Sequence, residues 1–151
     1  MLINILFTAA VLNIVRGINL PSDPVDVGDG EHFKSCAIWI KCISKDQDMN
    51  DKLDSCTMMV PEEYGVNAVK HFADFSSMDW SWENREAFYQ DFCAMDDEKQ
   101  DEIFTEMVQY AIEVGISTCA DPTKSEACHG IQNASSCATD IFNRIHFEGK
   151  C

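Results

Sequence analysis

The chain has 151 residues, eight cysteines and a formal net charge of −15. This charge argues against nucleic acid and anionic membrane surfaces as partners, because both would repel the chain, and it leaves cationic partners open. The length corresponds to one domain that can bury a core of its own.

Residues 1–17 have the pattern of a signal peptide. The apolar run from Leu2 to Val15 is shorter than the roughly 20 residues that span a bilayer, and it has the length of a signal-peptide core. Val15 and Gly17 are small enough to flank a cleavage site. No Lys or Arg precedes the run, so a buried N-terminal helix is the alternative. We expect a secreted, extracellular protein with no membrane segment after cleavage.

The segment 18–30 is predicted to be a disordered acidic arm. It contains two prolines, two glycines and three aspartates without a helical period. The folded part should therefore be a single helical, disulfide-rich domain over residues 31–151.

An even number of cysteines in an exported chain predicts four disulfides and no free thiol. The cysteines are Cys36, Cys42, Cys56, Cys93, Cys119, Cys128, Cys137 and Cys151. We expect the four upstream cysteines to pair with the four downstream ones, although the spacing does not choose the connectivity. Reduced thiols or a metal site are the alternative. No Cys-x-x-Cys or zinc-like Cys/His cluster occurs, so we predict no metal and no cofactor.

Apolar spacings of three and four predict an all-α fold, a disulfide-stapled bundle of five or six short helices without strands. The predicted segments are a helix from Glu31 to Ser44, one from Met49 to Val60, one from Pro61 to Ser76, one from Asp79 to Met95, one from Asp96 to Cys119, a loop over 120–133 with one turn near Ser125, and a last helix from Ala134 to Gly149. Cys36 and Cys42 point roughly 120° apart on their helix, so they should bind different neighbours.

The fifth helix should begin with acidic residues that complement the helix dipole, and Gln100 fits a capping box with Asp97. Its predicted buried stripe consists of Phe104, Met107, Val108, Ala111 and Val114. The acidic run 96–102 is better explained by this helix start than by a functional anionic patch.

The segment from Asp46 to Asp54 resembles the beginning of an EF-hand calcium loop, with acids or amides at alternate positions. It lacks the glycine and the bidentate glutamate of such a loop, because Asp51 and Thr57 stand there. A solvated turn between helices is favoured over a calcium site.

Aromatic residues and methionines are numerous enough to line an apolar cavity between helices, although a solid core is the alternative. The candidate ligand-lining residues are Trp39, Phe72, Phe75, Trp82, Phe88, Phe92, Phe104 and Met107. Trp80 and Trp82, on either side of Ser81, are a candidate exposed patch for a protein partner.

The sequence predicts no enzyme. It has no nucleophile elbow, no metalloprotease motif and no phosphate-binding glycine loop. The histidines lack a nucleophile or carboxylate at a telling spacing; they are His32, His71, His129 and His146. The sequon at Asn133 predicts a glycoprotein.

The helical content, the acidic charge and the eight-residue gaps between Cys119, Cys128 and Cys137 resemble the disulfide-linked helical secreted proteins of arthropods, such as odorant-binding proteins. Five residues separate Cys36 from Cys42, where that family has three between its paired cysteines. Secreted gland or venom proteins with helical cysteine frameworks are also similar.

Three functions remain open at this stage. The first is a monomeric, secreted, non-enzymatic carrier of a small apolar ligand. The second is a venom or gland secretory protein that acts on an extracellular protein partner. The third is a structural component of a secretion.

Overall fold

The computed structural model describes Gly30 and residues 32–151, and it is all-α, with no strand in this part of the chain. The predicted signal peptide and almost all of the predicted acidic arm lie outside the described residues. The helices are α1 (His32–Ile38), α2 (Gln47–Thr57), α3 (Glu62–Ser76), α4 (Arg85–Ala94), α5 (Asp97–Cys119) and α6 (Ser125–Phe147). The prediction of a disulfide-stapled helical bundle is confirmed. Among the described residues no helix has the length and apolarity that a membrane crossing requires.

The first predicted helix consists of two parts. α1 continues without a break into a π-helical segment, Trp39–Ile43, which ends where the Ser44 N–H donates to the Trp39 carbonyl oxygen at 2.6 Å. Cys36 lies in α1 and Cys42 in the π-helical segment. They bond to Cys151 and Cys93, respectively, so the prediction that they bind different neighbours is confirmed.

Two groups of buried side chains hold the helices together. The first core joins α1 and the π-helical segment to α2 and α6, and it consists of Cys36, Ile40, Met49, Leu53, Cys56, Ile141 and Ile145. The second core joins α3, α4 and α5, and it consists of Val69, Phe72, Ala73, Trp80, Phe88, Phe92 and Ile103. The turn-by-turn spacing of these residues on each helix creates the apolar faces that pack together.

The disulfide pairing corrects the sequence-based prediction. Two bridges join an upstream to a downstream cysteine as expected, namely Cys36–Cys151 and Cys56–Cys137. The other two do not, because Cys42–Cys93 joins two upstream cysteines and Cys119–Cys128 joins two downstream ones. The physical reason is proximity. α4 packs on the π-helical segment, and the chain reverses between α5 and α6, which places Cys119 beside Cys128.

The predicted loop over 120–133 is wrong from Ser125 onward, where α6 begins. The Asp121 side chain accepts hydrogen bonds from the backbone N–H and the hydroxyl of Thr123, at 2.9 and 2.7 Å. These bonds start a short 3-10 turn, Pro122–Lys124, that leads directly into α6. The sequence does not show the apolar spacing of a helix over the first two turns of α6, because the residues on their inward side are small or polar.

The first turn of α5 contains the predicted acidic residues, but the predicted capping box between Asp97 and Gln100 does not form. Asp96 is the N-cap, and its carboxylate accepts from the Lys99 N–H at 2.9 Å, while Asp97 and Glu98 follow in the first turn. Gln100 is buried and donates to the Phe92 carbonyl oxygen at 3.0 Å instead of pairing with Asp97. The acidic run is therefore a helix start, as expected.

Two helical glycines have different surroundings. A Cβ atom at Gly130 in α6 would lie 2.6 Å from the Met59 carbonyl oxygen, whereas one at Gly115 in α5 would lie 3.7 Å from the nearest atom, on Ile131. Gly130 therefore allows α6 to approach the turn after α2, and Gly115 has no comparable requirement.

We predict that Gly130→Ala lowers the free energy of unfolding by about 1–3 kcal/mol, because the new methyl group collides with backbone that cannot move freely. Gly115→Ala is the matched control. It should leave stability unchanged or raise it by up to about 1 kcal/mol, because alanine favours the helix and meets only ordinary contact. Urea unfolding followed by circular dichroism measures both. Equal effects of the two substitutions would contradict the assigned close approach.

Candidate functional site

The structure brings together most of the residues that the sequence nominated for a cavity. Five of the eight belong to the second core or pack against it: Phe72, Trp82, Phe88, Phe92 and Met107. The other three are dispersed. Trp39 packs against the first core, Phe75 is 40% exposed, and Phe104 is half-buried.

The aromatic rings of the second core pack on one another around Phe88. The ring centroids of Phe72 and Phe92 lie 6.4 and 6.1 Å from that of Phe88, and Trp80 meets it edge-on at 4.8 Å. Such separations are typical of stabilising aromatic contacts. These rings fill the space between α3, α4 and α5 with one another.

Trp80 and Trp82 do not form the exposed patch predicted for them. Trp80 is only 5% exposed, and its indole N–H donates to an Asp91 carboxylate oxygen at 2.8 Å. Trp82 is half-buried between two groups. Its indole lies so close to Gly65 that a Cβ there would collide with it, and the Arg85 guanidinium lies 4.2 Å from its ring centroid. Both indoles are therefore structural.

An apolar stripe is exposed on α5 instead. Val108, Ile112 and Ile116 are 41%, 55% and 55% exposed. Their spacing of four residues places them on one side of the helix, over about 12 Å of its length. We call these three residues the outer face of α5. Ile103 is buried on the opposite side of the helix, about 180° from Ile112.

Acidic groups precede the outer face of α5 on the same side of the helix. Asp97 and Asp101 lie at the start of α5, within about 60° of the stripe by helical geometry. Asp101 accepts from the Lys34 ammonium group of α1, and its side chain remains 63% exposed. The exposed side of α5 thus changes from acidic at its N-terminal end to apolar toward its C-terminal end.

A separate polar cleft of about 260 Å³ is lined by Asp54, Glu83, Arg85, Glu86 and Tyr89. The Lys41 side chain is only 6% exposed beside it and binds the Asp54 carboxylate. The ammonium group also donates to the Asn50 side-chain oxygen at 2.6 Å and lies 4.2 Å from the Tyr89 ring centroid. A buried cation beside the cleft therefore pairs with one of its three acidic groups, Asp54.

Burial raises the pKa of the Tyr89 phenol from 10.0 to about 12, and the negative charges of Asp54 and Glu86 add to this rise, against the opposing effect of Arg85. Both causes disfavour the phenolate. Tyr89 therefore lines the cleft as a neutral phenol over the whole physiological range.

The segment resembling a calcium loop does not form one. Asp46 is the N-cap of α2 and accepts from the Met49 N–H at 3.1 Å, and the residues from Gln47 to Thr57 are helical. The side-chain oxygens of Asn50 and Asp54 both accept from the Lys41 ammonium group, so a lysine cation already lies between them. A helix separates these oxygens along its axis, whereas a calcium loop must wrap around the ion. The predicted solvated turn is wrong, because the segment is helical from Gln47 onward, and the prediction against a calcium site stays a prediction.

Two histidine contacts could not be inferred from sequence spacing. His71 and Glu106 lie 2.7 Å apart across α3 and α5, and the His71 ring stacks on Tyr110 at 4.4 Å between centroids. His32 and Asn143 lie 2.8 Å apart across α1 and α6. Both contacts arise because distant helices pack side by side, and each joins its two helices.

Asn133, the predicted glycosylation site, is exposed in the middle of α6 rather than beside a loop. An exposed amide on a helix is accessible, so the position is sterically compatible with a glycan. Its occupancy remains a prediction.

No family model, curated protein or solved structure matches the chain. The resemblance to secreted arthropod proteins therefore stays a prediction.

We predict that Tyr89 ionises at a higher pH than an ordinary tyrosine, because its pKa is raised from 10.0 to about 12. Because its pKa is raised on folding, its contribution to stability is complete below pH 10 and is lost as the pH rises toward about 12. An alkaline titration of phenolate absorbance should show this late step, and Tyr89→Phe should remove it. Ionisation of Tyr89 at its ordinary pKa would contradict the prediction.

Proposed function

We propose that the protein is a secreted, non-enzymatic binding protein that recognises a cationic amphipathic helix of an extracellular partner protein. The observation that carries the proposal is the outer face of α5, where Val108, Ile112 and Ile116 are exposed side by side. Four disulfides support export, because such bonds persist in oxidising compartments.

The shape of the stripe favours a helical partner. Its residues repeat every four positions, which is the spacing of a ridge that packs into the groove of a second helix. Amphipathic helices are commonly recognised through apolar anchors with this same spacing. Burying the three side chains would remove apolar surface from water, which is the main favourable contribution to such an association.

The charge of the protein favours a cationic partner. The chain carries a net charge of −15, and Asp97 and Asp101 precede the stripe on its own side of α5. A partner helix with basic residues beside its apolar stripe would place them near these carboxylates. Charge complementarity of this kind speeds association and orients the partner.

The carrier function is the second candidate, and one observation favours it. Five of the eight nominated residues lie together at the second core. However, the rings of Phe72, Phe88 and Phe92 contact one another, so an apolar ligand would have to displace packed aromatic side chains. Close-packed interiors resist such displacement, which ranks the carrier below the interaction protein.

We predict that a synthetic peptide of about 18 residues, with leucines at spacings of three and four flanked by lysines, binds the intact protein at physiological salt. A peptide of the same composition with the order scrambled should bind at least about tenfold more weakly, because it lacks an apolar stripe. Fluorescence anisotropy of the labelled peptides measures both affinities.

Ile112→Glu should abolish the preference for the amphipathic peptide over the scrambled peptide, because it places a charge in the middle of the stripe. Phe147→Glu is the matched control, since Phe147 is 94% exposed at the opposite end of α6 from the turn that joins α5. It should leave the preference intact. Equal binding of both peptides would overturn the proposal and leave only general charge attraction.

Two further outcomes would identify a different occupant. Self-association that Ile112→Glu abolishes, seen in sedimentation, would mean that a second copy covers the stripe. Tight binding of an apolar fluorescent probe, displaced by fatty acids and unchanged by Ile112→Glu, would support the carrier function instead.

A further inference from the structure

Three potential metal ligands meet at one corner of the first core. Cys36 comes from α1, His146 from the last turn of α6, and Cys151 from the tail beyond it. Their ligand atoms, two sulfurs and one imidazole nitrogen, lie within 4.8 Å of one another. Among the described residues, no other group of three His, Cys, Asp or Glu side chains comes this close.

The corner is held in place on each side. The His146 Nδ1 atom lies 3.0 Å from the Cys151 carbonyl oxygen, within hydrogen-bond distance. The His32 ring stacks on the His146 ring with centroids 4.3 Å apart, and His32 is itself bound to Asn143 at 2.8 Å. These contacts restrict the imidazole of His146, as the supporting contacts of metal-binding histidines commonly do.

The corner is also open on one side. Cys36 is fully buried, whereas Cys151 is half-buried and His146 is exposed. A reductant or an ion can therefore approach through Cys151 and His146, while Cys36 remains fixed in the first core. The other three bridges also have at least one half-buried cysteine, so the feature specific to this one is the imidazole beside it.

We propose that this corner exchanges its disulfide for a metal ion. When Cys36–Cys151 is reduced, the two thiolates and the His146 imidazole bind a borderline-soft divalent cation of the Zn²⁺ type, with water in the fourth position. Two sulfurs, one imidazole and water form a donor set that suits tetrahedral zinc. The oxidised corner lacks thiolates and binds no such ion.

The exchange balances with a dithiol as the reductant. Two electrons pass from the dithiol to the Cys36–Cys151 bond, the dithiol closes to its own disulfide, and its two protons appear on the Cys36 and Cys151 thiols. The metal ion then displaces both thiol protons into solvent as it binds. The protein ends with two sulfur–metal bonds in place of one sulfur–sulfur bond.

The required movement is small. Zinc–sulfur bonds of about 2.3 Å in tetrahedral geometry place the two sulfurs about 3.7 Å apart, farther than in a disulfide. Cys151 lies on the tail after Phe147, where Gly149 has a φ of +71° and ends the helical run. The tail can therefore move outward while the first core and the other three bridges stay in place. This inference is independent of the proposed binding partner.

The experiment uses Co²⁺ as the spectroscopic probe. The folded protein is reduced with limiting phosphine, which becomes phosphine oxide by taking oxygen from water, and alkylation mapping identifies the opened bridge. We expect Cys36–Cys151 to open before the helical signal is lost, because Cys151 lies on the tail beyond α6. The reduced protein should then develop thiolate-to-cobalt absorption, and the oxidised protein should not.

His146→Ala tests the imidazole, and His129→Ala is the matched control, because His129 is also exposed on α6. His146→Ala should weaken Co²⁺ binding by at least about tenfold. Removal of a residue that only supports a metal ligand already lowers metal affinity by about tenfold or more, and His146 would be a ligand itself. His129→Ala should bind like the unchanged protein. Circular dichroism verifies that both variants keep their helices.

Three results would overturn the proposal. One is cobalt binding that His146→Ala and His129→Ala weaken equally. Another is protection of cysteines other than Cys36 and Cys151 from alkylation when Zn²⁺ is added. The third is a Cys36–Cys151 bond that opens only after the other bridges and the helical signal have been lost.

Discussion

Both cores depend on α1 and the π-helical segment that continues it, because the two cysteines of this run form disulfide bonds on different sides of it. Cys36 lies in the first core and bonds to the C-terminal tail, and Cys42 reaches across to Cys93 on α4, at the edge of the second core. A stretch of seven residues is thereby bonded covalently to elements of both cores. The other contacts between helices, such as His71–Glu106, hold one pair at a time.

The helical class and most helix positions could be predicted because apolar side chains recur at the spacing of one helical turn. α6 shows the limit of this signal. Its first turns contain Ala127 and Gly130 where a longer apolar residue would have marked the buried side, and Gly130 is required there by the Met59 carbonyl. The disulfide pairing could not be predicted, because it depends on how the chain reverses between helices. The number of residues between two cysteines does not show where the chain reverses.

The candidate binding surface was harder to predict than the fold. α5 is apolar around much of its circumference, so periodicity alone could not tell which side is buried. Val108 was expected inside together with Met107, yet Met107 packs against the second core and Val108 is exposed. The deciding factor is the arrangement of α3 and α6, which pack on other sides of α5. Trp80 is a second case, because it is buried in the second core and its indole N–H donates to Asp91 on α4, a contact that the sequence did not reveal.

The Cys36–Cys151 bridge has a topological consequence. It joins positions 115 residues apart and closes the domain into a covalent ring. A protease that cuts one peptide bond anywhere between these cysteines would open the ring without producing two molecules, because the fragments would remain linked through the bridge. After a single cut the two fragments would stay joined, and they would separate only after Cys36–Cys151 and any other bridge that spans the cut had been reduced.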